Sequence, residues 1–133
     1  MIQHWGGGVS DPDALPGLAS FAAQMLKEGT TGKSSAELAG AFDALGAQLG
    51  VSADQESVYV SIAVLSDELP AALALLAEMI TQPSFDEVEL GKLKRRELDR
   101  LELESRDPNW QARRAFRREI YGSHPYSRLD TTP

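Results

Sequence analysis

Three positions on one helix decide what chemistry this chain can do. They lie in the run Gly17-Leu18-Ala19-Ser20-Phe21-Ala22-Ala23-Gln24-Met25-Leu26-Lys27-Glu28-Gly29-Thr30. Leu18, Phe21, Ala22, Met25 and Leu26 recur at helical spacing. Ser20 and Gln24 therefore stand at i and i+4 on one face, with Ala23 beside them. Two side chains one turn apart are a common way for a helix to offer ligands to a metal ion. Zinc, however, takes imidazole, thiolate or carboxylate donors, usually three at a catalytic site and four at a structural one. A hydroxyl and a carboxamide are poor substitutes, and Ala23 supplies neither a ligand nor a base. The pair can share a cleft, but it cannot hold zinc or generate hydroxide there. Ser20 also fails as a nucleophile, because no histidine stands at a spacing that would activate it.

The remaining reactive side chains give weaker signals. The two histidines, His4 and His124, sit at opposite ends of the chain with no ligand spacing. They read as a surface residue beside Trp5 and a turn residue before Pro125. The run from Lys92 to Arg106 mixes signs and reads as a solvated helix face laced with i,i+4 pairs. That reading is preferred to a dock for an acidic partner at Lys94-Arg95-Arg96. Arg113-Arg114-Ala115-Phe116-Arg117-Arg118 is more basic, with Phe116 expected to anchor it to the core.

The elements that position these groups follow from pattern and punctuation. Residues 1–5 read as the end of a strand, and Gly6-Gly7-Gly8 as a breaker before a turn at Ser10-Asp11-Pro12-Asp13. A first helix is expected over 15–27, ending near Gly29. Ser34-x-x-Glu37 is a capping box for a second helix over 35–45, closed by Gly46. Residues 48–53 and 57–65 read as paired strands, with Val58, Val60, Ile62 and Val64 forming one apolar face. A third helix over 69–81, capped by Ser66 or Asp67, has Leu73, Leu76, Ala77 and Ile80 as its expected core face, and Pro83 stops it. Ser84-x-x-Glu87 is read as the cap of a fourth helix over 86–105. Asp107-Pro108 opens a fifth that runs to Tyr121. Helices and a hairpin in this order imply an α+β fold, helices packed on an antiparallel-rich sheet.

Composition narrows the classes. At 133 residues the chain is one domain's worth, or part of a larger unit. A 42% hydrophobic content supports a core, and a net charge of −7 argues against a nucleic-acid surface. There is no cysteine, so disulfides and thiolate metal sites are excluded. No run approaches the roughly 18 apolar residues of a membrane span. No basic region followed by an apolar stretch marks a targeting signal. Residues 129–133 read as unfinished, which suggests that the chain stops inside a larger unit.

The Gly17 to Thr30 run resembles the zinc helix of the pitrilysin/insulinase peptidases, roughly G-x-A-H-F-x-E-H-M-x-x-x-G-T. Other segments resemble the same family in order and spacing: the glycine turn and acidic segment from Gly6 to Pro16, the helix from Ser34 to Gly46, Asp67-Glu68-Leu69-Pro70 through Pro83-Ser84-Phe85, and Tyr121-Gly122-Ser123-His124-Pro125-Tyr126. In active members the histidines bind zinc and the intervening glutamate is the general base; Ser20, Gln24 and Ala23 occupy those places here. The third ligand of the family is a glutamate on the helix after P-x-F. Carried over without gaps, it falls at Arg100 or Leu101, with Glu97, Asp99, Glu102 and Glu104 nearby. Glu56 falls in the hairpin that abuts substrate in active relatives, and reads first as an exposed hairpin residue.

The resemblance implies an inactive peptidase-like domain over residues 1–133, an incomplete insulinase or processing-peptidase-like module. Active members pair such modules, fused or as separate subunits, around a chamber for unfolded peptide. The expected role is therefore to pack against an active module, or another copy, with zinc carried only by an active partner. The alternative is a structural scaffold with no proteolytic role. A bacterial periplasmic or envelope location would suit relatives of this kind.

Overall fold

A computed structural model describes residues 1–128; the tail at 129–133, read above as unfinished, lies outside the described residues. The alternating strand β5 (Ser57–Ala63) is the centre of a three-stranded antiparallel sheet. β1 (Ile2–Trp5) pairs with it on one side and β4 (Gln48–Ala53) on the other. The register sets Ile2 and Val51 opposite Val60, and His4 and Ala53 opposite Val58. Side chains two apart on a strand share a face, so one face carries Ile2, Leu49, Val51, Val58, Val60 and Ile62. The helices cover this face. The reverse face is polar: Gln3 Nε2 donates to the buried Ser57 hydroxyl (3.0 Å) and to the Tyr59 hydroxyl (3.4 Å).

Four further elements complete the main layer: α1 (Leu18–Met25), a short hairpin β2–β3 (Gly29–Thr30, Lys33–Ser34), α2 (Ser35–Ala44) and α3 (Leu69–Thr81). Leu38 and Phe42 of α2, Leu76 and Met79 of α3, Ala47 and Val60 form the larger core cluster. α4 (Glu87–Ser105) joins a second, where Leu93 is fully buried against Phe21 and Met25 of α1. α5 (Pro108–Tyr121) buries no residue completely. The Ser34–Glu37 capping box and the Asp107–Pro108 start both form as read.

Several boundaries differ from the sequence reading for identifiable reasons. α1 is shorter than 15–27 because Asp11, 9% exposed, reaches forward to cap it. Its carboxylate accepts from Gly17 N–H (2.7 Å) and Ala19 N–H (2.9 Å). Residues Leu26–Glu28 then tighten into a 3-10 turn. α4 is capped by Asp86, which accepts from Val88 and Glu89 N–H. Ser84 is unavailable because its N–H binds the Gly29 carbonyl and Phe85 breaks the backbone at φ +46°. α3 is apolar on nearly every side, so periodicity alone does not select a face. The inward residues are Ala72, Leu76 and Met79; Leu73 and Ala77 are exposed and Ile80 is half-buried. Phe116 is 65% exposed rather than an anchor, because the half-buried Trp110 and Arg117 turn another side of α5 inward. The β2–β3 hairpin was too short for a periodic signal. It is held by a half-buried polar knot: the Thr30 hydroxyl and Lys33 Nζ donate to the two oxygens of Glu78, each at 2.7 Å.

Candidate functional site

Ser20 and Gln24 are half-buried on α1, which lies over the edge strand β4. Ser20 lines a small recess with Ala53, Asp54 and Gln55 at the end of that strand. Ala23, 2% exposed, closes a different space: an apolar groove of about 330 Å³ with Ile2, Val58, Val60, Leu26 and Phe85. Gln24 points toward α4, where its Nε2 donates to Glu97 Oε1 at 3.5 Å. The carboxylate that α4 presents to α1 is therefore Glu97, one turn before the Arg100 or Leu101 place reached by gapless carry-over. Leu90 and Leu93 already face inward, and Glu97 follows Leu93 at i+4. Reading the phase of α4 from those leucines would have singled it out. Arg100 lies instead between Glu97 (2.6 Å) and Glu104 (2.8 Å).

A hydroxyl, a methyl group, a carboxamide and one carboxylate already engaged by protein donors do not make a zinc site. Among the described residues no group of three His, Cys, Asp or Glu side chains is placed to hold a metal ion. His4 lies opposite Val58 at the sheet edge. His124 accepts the Tyr126 N–H and caps a 3-10 turn.

The hairpin tip is built by hydrogen bonding. Asp54 accepts from Glu56 and Ser57 N–H, both at 2.8 Å, which holds its carboxyl below the usual range. Glu56 is exposed and accepts the Tyr126 hydroxyl, which lifts that hydroxyl above the ordinary tyrosine value. Tyr126 also meets Tyr121 edge-on, ring centres 5.7 Å apart. Arg128 donates to the Asp11 carbonyl (3.1 Å) and pairs with Asp13. The H-P-Y segment is thus a strap from the hairpin to the entry of α1. The mixed-charge run forms i,i+4 pairs as read at Arg100–Glu104 and Arg106–Glu102, while Lys92 pairs one step closer, with Glu89 at i,i+3. Arg96 leaves the helix to reach Glu28 at 2.9 Å. On α5, Arg114 stacks on Trp110 at 5.4 Å and Arg117 donates to the Arg128 carbonyl.

The model of the insulinase family, peptidase family M16, matches residues 5–127. This chain belongs to that family. It is 28% identical over 118 residues to a Bacillus subtilis protein named as an uncharacterized zinc protease, YmxG, covering 89% of this chain and 29% of that one. It is also 28% identical over 120 residues to a Helicobacter pylori protein named as a non-peptidase homolog, covering 90% of this chain and 28% of that one. The crystal structure of a peptidase M16 inactive domain from Pseudomonas fluorescens superposes with a TM-score of 0.90 at 30% identity, over 98% of this chain and 32% of that one. The chain thus spans less than a third of the length of these M16 proteins. Its helices on an antiparallel sheet are the M16 fold.

Proposed function

We propose that this chain is a non-catalytic M16 module that packs against an active module and helps wall a chamber for unfolded peptide. One observation carries the reading: the helix of the zinc motif is in place, while Ser20, Ala23 and Gln24 supply neither ligands nor a base. The likeness to an inactive M16 domain supports it. Among the described residues β4 is an edge strand that passes beside Ser20, and an extended peptide can add to such an edge as a strand, its main chain supplying the hydrogen bonds. Zinc in this reading belongs to the active partner alone.

The test is to purify the full-length protein from its source, identify what accompanies it, and assay peptide cleavage with and without a zinc chelator. A co-purifying protein with an intact H-x-x-E-H and chelator-sensitive cleavage is the expected result. An inert assembly without such a partner would replace this reading by a structural scaffold. Stoichiometric zinc held at Ser20 and Gln24 would sink both.

A further inference from the structure

We infer that Arg100 is a built-in cation that supplies, from α4 itself, the positive charge a metal ion would otherwise bring to the carboxylate facing α1. The cleft keeps a carboxylate at the position facing Gln24: the Glu97 side chain is only 12% exposed. A carboxylate so shielded needs a positive charge or a full set of donors, because burying it without either is costly. Both of its oxygens have protein donors. Oε1 accepts from the Gln24 carboxamide at 3.5 Å, and Oε2 accepts from Arg100 Nε at 2.8 Å. The same guanidinium reaches Glu104 Oε1 through Nη1 at 2.8 Å. The result is a chain from α1 into α4, Gln24 to Glu97 to Arg100 to Glu104, in which the cation is covalently part of the protein.

The electrostatics agree with this geometry. Burial opposes the charge of Arg100, yet the carboxylates of Glu97 and Glu104 hold its pKa above the ordinary value. A guanidinium is fixed in charge and forked, so it can serve two carboxylates at once. It cannot accept a ligand or polarise bound water. The arrangement therefore does more than omit zinc: it balances the remaining carboxylate internally through Oε2 and leaves Oε1 to the Gln24 carboxamide.

Two measurements test this. In thermal unfolding, R100Q leaves Glu97 uncompensated and is expected to lower the melting temperature by about 3 to 6 °C, with E97Q/R100Q recovering at least half of the loss. A shift under about 1 °C for R100Q, the size of a trivial surface pair, overturns the inference. In zinc titration against a chromophoric chelator, S20H/Q24H sets two imidazoles one turn apart on α1, the second at the position facing Glu97. S20H/Q24H/R100Q is expected to bind zinc about tenfold more tightly than S20H/Q24H, because Glu97 is released. Equal affinities in the two backgrounds overturn it. If the histidine variants do not fold, the thermal series decides alone.

Discussion

Gly7 runs so close to the hairpin that a Cβ built on it would lie 2.2 Å from the Asp54 carbonyl oxygen and 2.5 Å from the Ser57 nitrogen. Both are backbone atoms, so no rotamer relieves the clash. G7A is expected to destabilise the chain by about 2–3 kcal/mol in urea unfolding, as overpacked sites do. G8A, whose nearest neighbour would be the Gln55 side chain at 3.5 Å, is expected to cost under about 1 kcal/mol. Equal effects would mean that the glycine run is only a flexible joint. At this scale the sequence was legible wherever identity alone decides the chemistry. Ser20, Ala23 and Gln24 lack zinc donors whatever surrounds them. Glu97 was not selected, because its role depends on the rotational phase of a second helix, and a one-residue error turns a side chain by about 100°. The tie between Glu56 and Tyr126 joins the hairpin tip to the far end of the chain, and no local pattern announces it.

Helix starts show how far a cap can be read from its neighbourhood. Ser34 and Glu37 satisfy each other within one turn, and that box was visible as a short motif. Asp11 caps α1 from outside the helix, across Pro12 and Pro16, and its carboxylate serves two N–H groups at once. D11A is therefore expected to cost about 2–3 kcal/mol and S34A about 1 kcal/mol, both read from urea midpoints. A D11A loss no larger than that of S34A would show that α1 does not depend on the reach-back. The Asp86 cap was missed for the same kind of reason. Ser84 has the right spacing to Glu87, but its backbone is already committed to β2. The inward face of α3 was misread because an all-apolar helix gives periodicity nothing to grip.

For the molecule as a whole, acid should be the weak direction. Burial opposes the charge of Glu28, but the Arg96 guanidinium and Ser35 hydroxyl prevail and hold its carboxyl below the usual range. The Ser34 N–H and hydroxyl do the same for Glu37, and Lys33 and Thr30 for Glu78. A carboxyl depressed in the folded state adds stability above its unfolded pKa, near 4.3 for glutamate. That stability is lost as pH falls through the lower folded value. Urea midpoints should fall from about pH 4.5 downward, and E78Q should show a shallower acid decline from a lower neutral starting point. Identical slopes would deny Glu78 its part. The sheet, its apolar face and the order of the longer elements were legible because strand alternation and turn residues are local signals. The position of α5 was not, since it buries no residue completely. The seating of the glycine run on the hairpin also has a consequence in time. Gly6, Gly8 and Val9 donate to the carbonyls of Glu56, Asp54 and Gln55, so the two ends of a long loop must meet before the entry to α1 is seated. In stopped-flow refolding, D54A, which loosens the hairpin turn, should slow folding, while D11A should mainly speed unfolding. If so, the hairpin is the surface on which this chain begins to fold, and α1 arrives late.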